Sequence, residues 1–462
     1  MGANNSLKKN LIYMFICSIG VQIVSFVIVS YISKVLSVEL FGLVNYSQAI
    51  ILYFNLLTLF GFQTLGVKEV TKSEEKDEIV YSVISIRLII ALLSICAVAS
   101  ISVFITKGNS FRTILLLYSL TLIPLSFNLD WFFAGIYEMK HNGVFNIIKV
   151  TIPLVIILCI LKDDSGVYII PVAFIIGLIA AGTYHIFQFK KKGFSFGNKN
   201  RNKRKVLFTI ALPFVMSSIL STINGNVDTL MVGAFLSEYE LGLYSGAYKL
   251  IFLLISMIAV LFNVIYPNLT KLKGQELNSF FGMLTRVVVM FAIPTAIGGF
   301  IFSEEILILI FDKKFSEGSI TLKILMIYFM VLFLRELCAY SLNAWGKEKI
   351  YLKVIGISAL SNIIINYFLI KKIGIEGAAL STLICEIGTF ILMAFNIREK
   401  VELSYLKEAI KILPNICFVT VFMIVFKLVN INIVIIIPII ILMYFGILYK
   451  TGYLNTLGKF LK

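Results

Sequence analysis

The sequence predicts an all-α membrane protein that crosses the bilayer about fourteen times. Three observations predict it. Of 462 residues, 59% are hydrophobic and only 14% charged, against about 25% charged in soluble domains. Apolar runs of about 20 residues or more recur along the whole chain, the length one helix needs to cross a hydrocarbon core. These runs are too long for barrel strands and lack their period-two alternation.

The runs are taken in chain order. The first, near 11–36, is too long for a signal-peptide core and lacks a small-residue cleavage site, so it reads as an uncleaved first span. Runs near 43–67, 79–106, 111–137, 143–161 and 166–189 complete a set of six. The basic stretch "KKKGFSFGNKNRNKRK" follows at 190–205. A second set of six lies near 206–236, 241–270, 279–302, 319–345, 350–370 and 376–397, and a further pair near 406–428 and 431–449. The expected organisation is an N-terminal lobe (1–189), a cytoplasmic linker (190–205), a C-terminal lobe (206–398), and two additional helices with a tail (399–462).

The two sets look related. "LSVELFGLVNYS" at 36–47 and "LSEYELGLYSGA" at 236–247 both lie between the first and second helices of their set. Leu36, Ser37, Gly42 and Leu43 match Leu236, Ser237, Gly242 and Leu243. Two parallel repeats imply a pseudo-twofold axis along the membrane normal, with a substrate path between the halves.

Orientation follows from lysine and arginine. With the N-terminus in the cytoplasm, the even-numbered connections and both termini hold about 26 of the 41 basic residues, and the odd-numbered connections about nine. Both termini and the linker are therefore expected in the cytoplasm, where the linker's charge is a topology signal compatible with anionic lipid head groups. The net charge of +16 is explained this way and gives no reason to invoke nucleic acid. The six cysteines all lie in apolar runs without a C-x-x-C spacing, and the two histidines are isolated; neither a disulfide framework nor a metal site is expected. There is no P-loop or glycine-rich nucleotide turn, and every loop is short. ATP-driven pumping and loop-built membrane enzymes are thereby disfavoured.

Polar chemistry lies inside the membrane. In "PFVMSSILSTINGNVDTLMVGAFL" (213–236), Ser217, Ser221, Asn224 and Asp228 fall within about 60° of one another on a helix. Similar stripes carry Ser18, Gln22 and Ser25; Asn45, Gln48 and Asn55; Asn142, Asn146 and Lys149; and Ser358, Asn362 and Asn366. One stripe alone can be helix–helix glue; stripes in both halves fit a shared aqueous cavity. Ionisable residues within the runs are Arg87, Lys149, Lys249, Arg286, Lys323 and Arg335, with Asp130, Asp228, Glu336 and Glu386. Charges at this depth face the bundle interior, pair, or mark a transport path. Lys323, near a helix end, is expected to snorkel. Asp228 and Lys249 flank one short turn at similar height, so Asp228 is either half of a structural bridge or a direct handler of substrate or cation. Arginine suits a diphosphate, because its planar fork meets phosphate oxygens bidentately.

Several segments resemble a known family. "NLDWFFAGIYEMK" (128–140), "EVTKSEEK" (69–76), "AWGKEKIYLKV" (344–354), "IGIEGAALST" (373–382) and "VGAFLSEYELGLYS" (232–245) are similar to the Wzx-type flippases of lipid-linked oligosaccharides. That family sits in the superfamily that also holds the lipid II flippases and MATE drug exporters. The resemblance spans residues from about 7 to 400. It implies two six-helix lobes around a central cavity, open alternately to each side of the bacterial cytoplasmic membrane. The implied cargo is an undecaprenyl diphosphate-linked O-antigen or capsule repeat unit, handed on among membrane lipids and other polysaccharide-assembly proteins. Arg87, Lys149, Arg286, Arg335 and Lys249 are the expected cavity cations. Asp130, Asp228, Glu336, Glu386, Asn224, Gln22, Asn45, Gln48 and Asn362 are the expected polar or cation-coupling positions. No covalent step, metal or cofactor is expected; coupling to a proton or sodium gradient is left open. The alternative is a MATE-like exporter of cationic drugs, against which the excess of intramembrane bases argues.

Overall fold

The structure is a computed structural model that describes residues 2–105, 107–197, 201–429 and 431–453, without the side chains of 2–16, 201, 217, 218, 220–225, 260, 263 and 264. Helices dominate it. The first half contains α1 (Gly2–Val35), α2 (Val38–Leu59), α3 (Phe62–Lys72), α4 (Lys76–Phe104), α5 (Gly108–Ser119), α6 (Leu122–Leu125), α7 (Asp130–Gly135), α8 (Lys140–Ile160), α9 (Ile169–Lys191) and α10 (Arg201–Phe235). The second contains α11 (Glu238–Lys271), α12 (Gly274–Ile301), α13 (Ser303–Phe311), α14 (Ser319–Ala344), α15 (Glu348–Ile397), α16 (Tyr405–Leu428) and α17 (Ile433–Lys450). Among the described residues, eleven segments are long and apolar enough to cross a membrane. No strand occurs among them.

Contacts divide the chain into two compact units. One is Met1–Gly233 with Ser237–Gly242, and the other is Ala234–Leu236 with Leu243–Lys462. Within the first, α8 packs between α1 and α9, and α2 runs beside α4 and α5. Within the second, α14 packs along both α15 and α12, and α16 bridges α12 to α17.

Two apolar runs that read as simple spans have internal structure, and two others join across a kink. The run 43–67 breaks after α2, where Phe60 (φ 49°) and Gly61 (φ 67°) are both left-handed. Glycine is needed at 61, since a Cβ there would lie 2.6 Å from the Phe214 Cβ. The run 111–137 breaks into α5, α6 and α7: Pro124, with no amide hydrogen, and the Asn128 turn interrupt the helical ladder. Asn128 closes that turn by accepting from the Asp130 amide at 2.8 Å through Oδ1. The runs 350–370 and 376–397 join as α15, which kinks at Ile373 and Gly374 (φ 63°). Gly377 permits the fold-back, because a Cβ there would lie 2.2 Å from the Leu369 carbonyl oxygen.

The family-like aromatic segment is a packing unit. Trp131, Phe132 and Phe133 are buried with Phe62, Leu65, Val70 and Val80, joined by Phe189 and Leu207 from α9 and α10. Gly66 faces the Trp131 ring so closely that a Cβ would fall 2.4 Å from it. The same corner binds the basic linker: Lys203 Nζ donates to Glu78 at 2.7 Å and Glu75 at 2.9 Å, and Ser195 donates to Asp77. Lys192 donates to Glu138 at 2.5 Å. In the second unit, α16 and α17 pack on α12 through Ile412, Ile416, Val419, Ile436 and Ile440, and Tyr444 donates to the Met290 carbonyl at 2.7 Å.

The repeated turn also has a physical reason. Gly42 and Gly242 occupy equivalent places in the first turns of α2 and α11. A Cβ on Gly42 would lie 2.6 Å from the Glu238 carbonyl oxygen, and one on Gly242 would lie 2.1 Å from that of Val38. Only a hydrogen fits at either position. Ser237 and Glu240 form a reciprocal capping box at the start of α11.

Candidate functional site

In the first unit, Arg87 on α4 is fully buried. Its Nη1 donates to the Asn128 carbonyl at 2.7 Å and its Nε to that of Leu59 at 3.3 Å. The guanidinium also lies 5.8 Å from the Phe62 ring centroid and 5.9 Å from that of Trp131. It thus answers the carbonyls exposed by both helix breaks. Nη2 has no hydrogen-bond partner.

Asp130 opens α7, where its charge complements the helix N-terminus. Its Oδ2 accepts from Asn128 at 3.0 Å, and its Oδ1 lies 3.8 Å from His185 Nε2. Asn142 donates to its carbonyl at 2.8 Å. Lys149 on α8 donates to Asn146 one turn away at 2.8 Å and lies over the Phe145 ring. Asn45 bonds its own helix at the Phe41 carbonyl, and Gln48 donates to the Tyr118 hydroxyl at 2.9 Å. Gln22 is half-buried on α1. Asp228 is buried on α10. Ser217, Ser221 and Asn224, the rest of its stripe, lie outside the described side chains.

In the second unit, three of the expected residues converge. Arg335 on α14 donates through Nε to Glu386 Oε1 on α15 at 2.6 Å, and its Nη2 lies 3.0 Å from Glu336 Oε1. Arg335 and Glu386 are buried; Glu336 is half-buried beside a cavity of about 420 Å³ lined by Tyr266, Ala339, Tyr340, Asn343 and Tyr351. Arg286 on α12 instead pairs with Glu408 on α16 at 2.8 Å, and Lys411 shares that carboxylate at 2.7 Å. Lys249 is half-buried on α11. Asn362 is buried on α15 and accepts from Asn366 at 2.9 Å. A second cavity, of about 370 Å³ and almost entirely apolar, lies among α12, α13, α16 and α17.

The sequence reading missed Glu408, His185 and the tyrosine-lined cavity. Glu408 follows a loop and reads as a solvated helix start. His185 is single in its run, and its neighbour Asp130 is 55 residues away. Tyr266, Tyr340 and Tyr351 are ordinary membrane-helix residues until the fold places them together.

Comparison with known proteins fixes the family. A family model described as "Polysaccharide biosynthesis protein" matches residues 7–273, more than half of the chain. The chain belongs to this family. Among its relatives is the capsular polysaccharide biosynthesis protein CapF of Staphylococcus aureus, 24% identical over 83% of this chain and 98% of that protein. A putative O-antigen transporter of Shigella dysenteriae is 19% identical over 84% of this chain and 99% of its own length. The fold is similar to that of the lipid II flippase MurJ in an inward closed conformation, with a TM-score of 0.75 at 20% identity, over 96% of this chain and 99% of that one. For a member of the polysaccharide biosynthesis protein family, the buried pair of Arg335 and Glu386 is the notable chemistry, because losing either partner would leave the other charge buried and unpaired.

Proposed function

We propose that the protein is a flippase that moves polysaccharide repeat units, linked to undecaprenyl diphosphate, from the inner to the outer leaflet of the bacterial cytoplasmic membrane. The observation that carries this reading is the family match over residues 7–273, joined to a fold that the lipid II flippase shares. In this reading the chain makes fourteen spans, with both termini in the cytoplasm. Residues 1–189 and 206–398 form two six-helix lobes around a central cavity, joined by the linker 190–205 and followed by two further helices in 399–462. No bond of the cargo is made or broken. The polyprenyl tail stays in lipid while the polar head group passes by alternating access, and other polysaccharide-assembly proteins receive it.

The ion pairs refine the proposed roles. Arg87 and Asp130 serve as framework residues of the first lobe, since their contacts close two helix breaks. Lys149, whose side chain donates to Asn146, is the cation best able to turn to a diphosphate, and Lys249 remains a proposed cavity cation. Arg335 and Arg286 already hold carboxylates, so a diphosphate would have to displace Glu386 or Glu408 to reach them. Exchange of Glu408 for cargo phosphate on Arg286, where Lys411 adds a second cation, is the proposed link between binding and lobe movement. Asp228, Glu336 and Glu386 are the positions at which proton or sodium coupling is to be sought, with Asn224, Gln22, Asn45, Gln48 and Asn362 as polar lining.

The test is deletion of the gene in its host with the upstream sugar transferases intact. The reading expects surface polysaccharide to be lost and the lipid-linked repeat unit to accumulate on the cytoplasmic side. Unchanged surface polysaccharide, with raised sensitivity to cationic drugs instead, would favour a drug exporter.

A further inference from the structure

The tyrosine-lined cavity of the second unit is unlike the other charged sites, because its polar groups are left for something else. Tyr266 comes from the last third of α11, Glu336, Ala339, Tyr340 and Asn343 from α14, and Tyr351 from the first turn of α15. Among the described residues, Tyr266, Asn343 and Tyr351 make no side-chain hydrogen bond within the protein, although each borders the cavity. Asn343 and Tyr351 are half-buried and Tyr266 is exposed, so their polar groups open onto the cavity. Three that converge on one space of about 420 Å³ point to a ligand, and this volume falls in the range of small-molecule sites, about 300–1,000 Å³.

The chemistry selects the ligand class. One guanidinium, Arg335, stands against two carboxylates, Glu336 and Glu386, so this cluster carries one formal negative charge. A diphosphate would be repelled, and low dielectric strengthens the repulsion. The uncharged lining offers phenol hydroxyls, which donate and accept, and an amide, which does both from one side chain. Sugar hydroxyls also donate and accept. The rings of Tyr266 and Tyr340 meet edge to face, with centroids 6.2 Å apart, and Tyr340 stacks on Phe262 at 5.0 Å. That buttress fixes the ring bordering the cavity, and its negative face suits the C–H side of a sugar ring.

We propose that the cavity bounded by Tyr266, Glu336, Tyr340, Asn343 and Tyr351 holds a saccharide unit of the cargo, apart from the cationic positions that meet its diphosphate. This inference rests on the flippase reading and deepens it. The cavity lies towards the α11–α12 and α14–α15 connections, the side that carries Lys271, Lys273, Lys347 and Lys349, which the charge rule assigns to the cytoplasm. The saccharide is therefore engaged on the side where the cargo is loaded.

The experiment uses the full-length protein in lipid nanodiscs and two probes: the repeat-unit oligosaccharide released by mild acid from the host's lipid-linked pool, and inorganic pyrophosphate. Saturation-transfer NMR reads oligosaccharide binding to the wild type, to Tyr351→Phe and to Tyr351→Phe with Asn343→Leu. Loss of two hydrogen-bonding groups should weaken binding about tenfold or more, and pyrophosphate should not displace the oligosaccharide. Tyr351→Phe keeps the ring, so a matching thermal midpoint separates lost binding from lost folding. Unaltered binding in the double variant, displacement by pyrophosphate, or no binding to the wild type would overturn the proposal. Failure of the flippase reading is a separate result, since it would show as surface polysaccharide that survives deletion of the gene.

Discussion

Replacing Arg335 tests how the second unit tolerates its buried charges. Its guanidinium faces Glu386 at 2.6 Å and Glu336 at 3.0 Å, with side-chain exposures of 8% for Arg335 and 6% for Glu386. Arg335→Met fills much of the space but leaves two carboxylates close together without a counter-charge. Removing one partner of a buried pair costs about 3–5 kcal/mol, with most of it here falling on Glu386, the more buried acid. Arg335→Met with Glu386→Gln removes both charges of the shortest contact, and such neutral replacements are often tolerated. The double variant should therefore recover at least half of the loss. The assay is denaturant unfolding of the purified protein in mixed micelles, with all four corners of the cycle measured under one condition. A loss of less than about 0.5 kcal/mol for Arg335→Met, of the size of an exposed pair, would refute the reasoning, as would a double variant weaker than the sum of the singles.

Other expectations follow from the same physical rules. Burial pushes the Glu138 carboxyl up, but the hydrogen bond and charge of Lys192 outweigh it and leave its pKa below the ordinary value. The stability it lends is therefore present above the unfolded carboxylate pKa, about 4.3, and lost as pH falls through the lower folded value. Unfolding midpoints of Glu138→Gln and wild type should differ at pH 7 and converge on acidification below pH ~4; a constant difference would contradict the pairing. Gly242→Val should destabilise by about 1–3 kcal/mol through overpacking, since the Val38 carbonyl occupies the space; Gly356→Ala, with open space around it, should be neutral or mildly stabilising in the same unfolding assay. Arg286→Ala strands a Glu408 that still has Lys411, so its loss should be smaller than that of Arg335→Met, and equal losses would argue against the sharing. Tyr444→Phe gives up one bond to the Met290 carbonyl and should lower stability by about 1 kcal/mol; protection of the α17 amides in hydrogen exchange should fall with it.

The helices were legible because hydrocarbon imposes a length and a composition that few other settings require. Their interruptions were less so. Phe60 and Gly61 sit in an unbroken apolar run, and nothing local announces two left-handed residues until Phe214 is seen packed against Gly61. The run 111–137 is continuous in hydropathy, and it reads as one span although Pro124 lies inside it. The kink of α15 was readable, because Lys371, Lys372 and Gly374 interrupt the apolar pattern between two segments of spanning length.

Charged residues were legible one at a time, and their partners were not. Arg335 and Glu386 are separated by 51 residues, and Arg286 and Glu408 by 122; helix periodicity orders residues only within one helix. Asn45 illustrates the same limit, because a polar stripe gives no sign that its amide bonds the Phe41 carbonyl of its own helix. The tyrosine cavity is the extreme case: its residues come from three helices, and each side chain alone is ordinary.

Reconstituted transport tests the central claim most directly. Purified protein in liposomes that carry undecaprenyl diphosphate-linked repeat unit in one leaflet would be followed by the time-dependent access of that sugar to a membrane-impermeant lectin in the opposite compartment. The account predicts protein-dependent exposure of the sugar, slowed by Lys149→Ala and by Tyr351→Phe with Asn343→Leu, with the diphosphate linkage intact throughout. Exposure no faster than in protein-free liposomes, from folded protein, would contradict it.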